Sequence, residues 1–412
     1  MAYNKSNIQP LIYTVKLAAL ATLAATGAFA QSSVQIDGVM DVGFQSINYK
    51  GADNTVNGIN GNGSSTSQIN FRGTEDLGGG LKANFRVETD WNTTSNMGNA
   101  GTGSSVNAGT VASSINSTAG TFGNGEIRVG LAGGFGSIDA GAVNYNTLGT
   151  YLTGQPFGTA IGSGFRTMFI NDGQAASAVR AENSIKYVSP SFSGLTASLY
   201  YSGKQTKATS STPAPTATNS LNPQANAFGA LGAYDQIGTQ EIGVNYANGP
   251  LAASFSNLKQ DSLGVGAASS SGASTTGADL TVNTLGANYA LGAAKVFGLY
   301  QTQKTASNSV DRKAFSVSGT YTMGAVVLMA QVGELKADAG TYSGQKSKLV
   351  ALGADYNLSK RTAVYFRAES IDDKARAMNG AVNPQQIGGA ANVAALTDQK
   401  FGRTSVGVRH AF

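Results

Sequence analysis

The chain has no cysteine, and only one histidine, one tryptophan and eight prolines in 412 residues. Without cysteine there are no disulfides, no thiolate metal ligands and no cysteine nucleophile. A single histidine leaves no His-rich metal centre and makes any Ser–His catalytic pair depend on His410 alone. Charged residues are scarce at 12%, about half the share of an ordinary soluble domain. The net charge of +5 is not gathered into a basic run, which argues against nucleic acid as a partner. Beyond residue 30 no apolar stretch approaches the roughly 20 residues of a membrane-spanning helix, and the mean hydropathy is −0.10. Glycine is abundant instead, at 54 residues, with 16 Tyr and 17 Phe. Low charge with this aromatic content does not describe a disordered chain; it suggests many short strands joined by turns.

The first thirty residues read as an address. Lys5 and Lys16 precede an uncharged apolar run from Leu17 to Phe29, which ends in Ala28-Phe29-Ala30. This is the pattern of a secretory signal peptide. A helix of that length reaches roughly 20 Å, short of the roughly 30 Å hydrocarbon core. The expected organisation is a signal peptide over 1–30 and a single domain over 31–412.

From Gln31 onward, apolar and polar residues alternate. In Leu81–Glu88, Leu81, Ala83, Phe85 and Val87 share one face, and Lys82, Asn84, Arg86 and Glu88 share the other. Period two is the mark of a strand. Sixteen such segments are read at 33–47, 67–77, 80–91, 125–132, 136–144, 182–189, 194–203, 239–247, 250–260, 281–290, 294–304, 312–322, 325–336, 347–357, 361–371 and 402–412. Short links alternate with longer ones, the longest being 48–66, 92–124, 145–181, 204–238, 261–280 and 372–401. An even strand number, with short turns on one side and long loops on the other, describes a transmembrane β-barrel. Backbone groups in lipid must pair within the protein, and a closed sheet leaves no edge. A soluble sandwich would not explain charged residues opposite strong apolar faces, whereas a water-filled barrel explains both. The last strand puts Thr404, Val406, Val408, His410 and Phe412 on one face, with His410 on the lipid side near headgroup level.

The segments Val34–Gly43 (VQIDGVMDVG), Phe71–Leu81 (FRGTEDLGGGL), Arg128–Phe135 (RVGLAGGF), Asn183–Gly194 (NSIKYVSPSFSG) and Gly407–Phe412 (GVRHAF) resemble elements of the trimeric general porins of Gram-negative bacteria, of the betaproteobacterial type. The resemblance implies an all-β fold, a 16-stranded antiparallel transmembrane β-barrel with an inward-folded third loop. It also implies a homotrimer in the cell outer membrane. The expected function is diffusion of small hydrophilic solutes and ions; alternatives are a substrate-specific channel, or a non-conducting structural or adhesive barrel. No catalysis, cofactor, metal or nucleic acid is expected. The expected partners are further copies of the chain, outer-membrane lipid and lipopolysaccharide.

The constriction is expected where the third long link meets the wall. That link carries few charges, Arg166, Asp172 and Arg180 with Glu182 just beyond, and Gly149, Gly154, Gly158, Gly162 and Gly164 to bend it. Arg72, Arg86 and Arg128 lie on the polar faces of three successive strands. Facing lipid, each would cost roughly 2–4 kcal/mol at the midplane, so they belong in the lumen as a basic ladder. Asp37, Asp41, Glu88, Glu126, Asp355 and Glu369 are the lumen acids available to pair with them. An acid-poor loop opposite a basic wall predicts weak anion preference. Tyr200 and Tyr365 also face inward and are candidates for contact with solutes. Tyr187, Tyr201, Tyr356 and Trp91 are candidates for the aromatic girdles.

Overall fold

The structure is a computed structural model describing residues 33–49, 54–91, 93, 122–165, 167–169, 179–203, 238–261, 279–340, 342–375 and 400–412. The expected signal peptide lies outside the described residues, as does most of each of the links 92–124, 204–238, 261–280 and 372–401. The strands are β1 (Ser33–Tyr49), β2 (Asn54–Gly61), β3 (Gln68–Gly78), β4 (Leu81–Asp90), β5 (Ile127–Gly133), β6 (Gly136–Asn144), β7 (Arg180–Val188), β8 (Leu195–Ser202) and β9 (Thr239–Asn248). They continue as β10 (Leu251–Gln260), β11 (Leu280–Leu291), β12 (Ala294–Thr305), β13 (Asp311–Met323), β14 (Val326–Ala337), β15 (Lys346–Asn357), β16 (Thr362–Asp373) and β17 (Lys400–Ala411). A helix, α1 (Asn146–Thr153), lies between β6 and β7.

Every strand pairs antiparallel with its neighbours, and β1 closes the sheet on β17 with Val39–Tyr49 opposite Phe401–Ala411. The fold is therefore a closed antiparallel barrel of sixteen staves. Seventeen strand segments make sixteen staves because β2 and β3 share one. Val42–Tyr49 of β1 pair with β2, and Ser33–Val39 pair with β3. The sequence reading treated 48–66 as a link, so β2 is a correction. Its sequence, NTVNGING, shows no apolar alternation. It lies at the long-loop end of the stave, where no lipid-facing row is required.

The two faces follow the pleat. Tyr300, Phe315, Val317, Val332, Val350, Leu352 and Phe366 point outward and are exposed. Between them Gln301, Ser316, Ser318, Gln331 and Ala351 are buried on the inner side. Because the side-chain period is two, slipping a stave by one residue would exchange these rows, so lipid on one side fixes the register. Tyr201, Tyr289, Tyr321 and Tyr356 lie exposed on the outer face, where their rings suit the membrane interface. His410, also exposed, accepts or donates through Nδ1 to Thr362 Oγ1 at 2.9 Å. It sits at the short-turn end of the last strand, on the outer face.

Val317 stands near the middle of β13 with its side chain 58% exposed on the outer face. Val317→Arg should destabilise the folded barrel by about 2–4 kcal/mol, measured as a lowered urea midpoint of refolding into lipid vesicles. Ser316→Ala, on the adjacent inward position, should leave that midpoint nearly unchanged.

Candidate functional site

The segment after β6 packs inside the barrel, against side chains that alternate with the lipid-facing ones. Val143 and Tyr145 join Tyr200, Leu258, Leu280 and Val282 in one apolar cluster. Farther along, Tyr151, Phe157, Met168 and Phe169 pack with Leu299, Met329, Leu335, Leu349 and Ile371 in another. These partners come from the inner faces of β8 and β10–β16. Gly158, Gly162 and Gly164 take left-handed φ angles of 63°, 96° and 74°, which lets the chain reverse within the lumen.

Helix α1 was not legible in the sequence. Asn-Thr-Leu-Gly-Thr-Tyr-Leu-Thr holds three β-branched residues and a glycine, a poor set for an isolated helix. Its N-terminus is instead met by Glu241 of β9. That carboxylate accepts the backbone N–H of Asn146, the backbone N–H of Thr147 at 2.7 Å and the Thr147 hydroxyl at 2.7 Å. A carboxylate at the positive end of a short helix satisfies donors that would otherwise be orphaned. Farther on, Gly162 N–H donates to Glu369 Oε2 at 2.7 Å, Gln331 Nε2 donates to the Ser163 carbonyl at 3.1 Å, and Asn288 Nδ2 donates to the Thr153 carbonyl at 2.8 Å. Thr147 also meets Ser256 of β10 through their hydroxyls at 2.9 Å, so the loop is moored to β9, β10, β11, β14 and β16. The role of Glu241 had one available signal: Gln240 and Ile242 face outward, so strict alternation turns Glu241 inward.

The opposite wall, β3 to β7, carries the charges. Arg72 stands directly across from Arg86, and Arg86 directly across from Arg128. The sequence left open how far acids pair with this ladder; the structure interleaves it with them. Arg72 meets Asp37 at 2.8 Å, and Arg86 meets Glu88 and Glu126 at 2.7 Å each. Arg128 contacts Asp139 closely and Glu126 at 3.6 Å, and Arg180 meets Asp90 at 3.7 Å. Asn70 Oδ1 accepts from Arg86 Nε and Nη2, and Lys186 Nζ donates to the Asn144 carbonyl at 2.9 Å. Like charges on adjacent staves would otherwise repel.

The pairs are not symmetric toward the water. Arg72 is 46% exposed against 36% for Asp37, and Arg86 is 18% exposed against 9% for each of its acids. Arg128 is 27% exposed against 9% and 11% for Glu126 and Asp139. Arg180 and Asp90 reverse the order, at 21% and 32%. Along most of the row the arginine side chains are more exposed than the carboxylates they pair with. Glu182 is exposed beside Asn183, whose φ is 50°; Arg166 and Asp172 lie outside the described residues.

Tyr200 and Tyr365 are buried, which corrects their expected contact with solutes. Tyr200 packs edge-on against Tyr145 with ring centres 4.8 Å apart, and its hydroxyl accepts from Ala181 N–H at 3.0 Å. The Tyr365 hydroxyl donates to Asp41 at 2.6 Å. Both tyrosines brace inward segments rather than line the water path. Among the described residues no cluster of His, Asp or Glu is placed to hold a metal.

A family model described as Gram-negative porin matches residues 17–376. Outer membrane porin protein 32 of Delftia acidovorans is 32% identical over 407 residues, covering 96% of this chain and 99% of its own. The solved anion-selective porin from Comamonas acidovorans superimposes with a TM-score of 0.66 at 25% identity, over 93% of this chain and all of that one. The trimer form of OmpT of Vibrio cholerae shares the fold, with a TM-score of 0.57 at 16% identity over 92% of this chain and 99% of its own.

Removing the carboxylate with Glu241→Ala should cost about 1–3 kcal/mol by leaving buried donors unmet and should loosen α1 from β9. The expected outcome is a folded channel whose single-channel current flickers between sublevels. A quiet, wild-type current from Glu241→Ala would show that the loop does not need this anchor.

Proposed function

The chain belongs to the Gram-negative porins, outer-membrane diffusion channels and not enzymes, and on that footing we propose that it passes small hydrophilic solutes and ions with a weak preference for anions. The observation that carries the preference is the greater exposure of Arg72, Arg86 and Arg128 relative to their acids. A permeating anion meets the guanidinium before the carboxylate. At about 5 Å in water one unit charge is worth roughly 0.8 kcal/mol, about fourfold in local ion occupancy. The recessed carboxylates cancel part of this, so the preference is weak. The preference expected from the sequence rests on an acid-poor loop opposite a basic wall; the reading here adds that the arginines of that wall are more exposed than the acids paired with them. The proposed constriction comprises Arg72, Arg86, Arg128 and Arg180, joined by Arg166, Asp172 and Glu182 of the third link and its exit.

The mature chain is proposed to span 31–412 after removal of the signal peptide, and to assemble as a homotrimer. The outer faces of β1, β4, β5 and β8 expose Val34, Ile36, Phe44, Phe85, Val129 and Leu199, which suits a protein neighbour as well as lipid. The proposed lipid partner is lipopolysaccharide, and an asymmetry of the outer face supports this reading. Lys259, Lys304, Lys313, Lys336, Lys346, Lys348 and Lys400 all lie on outward positions at the long-loop ends of β10–β17. Phe315 and Val332, nearer the short-turn end, begin the apolar band below them. Some of these lysines are paired, Lys304 with Asp311 at 3.4 Å and Lys346 with Glu334 at 2.7 Å. Hydrogen bonds from Lys313 and Lys336 hold the Asp338 carboxyl below its usual range. The lysines still outnumber the acids around them, a fit for phosphate groups at headgroup level.

Planar-bilayer recording under a salt gradient tests the channel reading. Openings that close in three equal steps, with a reversal potential on the anion side, are expected; folded protein that never conducts would overturn it. Arg86→Gln/Arg128→Gln should move the reversal potential to the cation side, because Glu88, Glu126 and Asp139 then stand unpaired. For the lipid partner, Lys304→Gln/Lys313→Gln/Lys336→Gln/Lys348→Gln should weaken binding of diphosphoryl lipid A in mixed vesicles by roughly fivefold per lysine while leaving conductance unchanged. Equal retention of lipid A by the variant would remove the lysine row as its site.

A further inference from the structure

The stave shared by β2 and β3 is broken at Asn62–Ser67, and this break is organised around one buried carboxylate. Asp41, on the neighbouring β1, has no solvent exposure. Its Oδ1 accepts the Gly63 N–H at 3.2 Å and the Tyr365 hydroxyl at 2.6 Å. Its Oδ2 accepts the N–H groups of Ser64 at 2.8 Å and Ser65 at 2.7 Å. Three successive peptide N–H groups turned onto one anion form a nest, here filled by the protein's own side chain. Ser67 ties the far end, its hydroxyl accepting from Asp41 N–H at 3.0 Å. Asn62 has a φ of 62° and its Oδ1 accepts from Ser67 N–H at 2.8 Å, closing the excursion on itself.

The excursion runs inward over the lumen face of β16 and β17. A Cβ at Gly63 would come within 2.5 Å of the Tyr365 hydroxyl and 2.7 Å of Ser405 Oγ, so only glycine lets the backbone lie this close. Arg367 donates to Ser64 Oγ at 2.9 Å, and the hydroxyls of Thr66 and Thr159 meet at 2.9 Å. Thr159 belongs to the inward loop after α1, so the two excursions touch. Ser64, Ser65 and Thr66 remain partly exposed, on the side facing the open lumen. None of Asn62–Ser67 carries an apolar side chain, so no hydrophobic burial seats the segment. Its hydrogen bonds do, and most of them end on Asp41.

We infer that Asn62–Ser67 is a second constriction element of the pore, and that Asp41 is the positioning residue that holds it in the lumen against Thr159. This rests on the channel reading and goes beyond it: the aperture is bounded by two inward segments that meet, as well as by the arginine wall. If Asp41 lets go, the peptide groups of Gly63–Ser65 can be satisfied by water instead, and the segment can swing back toward its stave.

The natural chain has no cysteine, so a single Thr66→Cys reports cleanly. Treatment of reconstituted Thr66→Cys with a cationic or an anionic methanethiosulfonate should label the thiol completely by mass, lower single-channel conductance and shift the reversal potential in opposite senses for the two reagents. The parent chain should not respond. A thiol that stays unlabelled, or full labelling with no change in current, would overturn the inference. Asp41→Asn should raise conductance and admit larger oligosaccharides in liposome swelling. Oxidising Thr66→Cys/Thr159→Cys in the Asp41→Asn background should restore the parent values, and reduction should undo that. Folded Asp41→Asn with the parent conductance and size limit would equally overturn it. If Asp41→Asn does not fold, the Thr66→Cys labelling decides alone. Failure of the channel reading itself is separate, since the parent chain would then not conduct.

Discussion

Every other feature depends on the satisfaction of backbone hydrogen bonds where there is no water. A strand in lipid keeps its N–H and C=O groups only if both neighbours are strands, and the row of neighbours ends only by closing. The eleven-residue seam between β1 and β17 is that closure. Once the ring is closed, the outer face is committed to apolar side chains and the inner face is released from that demand. Arginine, glutamate and glutamine can then occupy the inner face at little cost.

Inside the ring the same requirement returns in another form. Chain that enters the lumen leaves the sheet, and its peptide groups must find new partners. Stave carboxylates supply them repeatedly. Glu241 receives the first turn of α1, Glu369 receives Gly162, Asp41 receives Gly63–Ser65, and Glu126 receives the Asn144 N–H at 3.0 Å. Two of these acids also hold a cation: Glu369 meets Arg403 at 2.6 Å, and Glu126 meets Arg86. Charge in this barrel therefore serves two purposes at once. Acids anchor inward backbone, and the arginines paired with them face the water.

This division explains why only half of the acids' role is legible in the sequence: pairing with arginines can be read there, and holding inward backbone cannot. Asp41, Glu126 and Glu369 sat on the correct face by alternation alone. Alternation reports the side of the sheet and says nothing about what lies above it. Tyr200 and Tyr365 illustrate the same limit, since both point inward and both are covered by segments that come from far along the chain. Helix α1 and strand β2 were illegible for a related reason. Their sequences have weak local preference, and their order is supplied by Glu241 and by the hairpin onto β1.

The sequence by itself determined the closed barrel, its lipid-facing rows and the row of Arg72, Arg86 and Arg128. Those follow from period two and from the cost of charge in hydrocarbon, which are local rules. Only the tertiary structure decided which acids stand behind which arginines, and where the inward segments are held. Those facts depend on contacts between residues such as Asp41 and Tyr365, or Asn146 and Glu241, that are far apart in the chain. Such contacts exist only once the ring is closed, because closure sets what lies across the lumen from what.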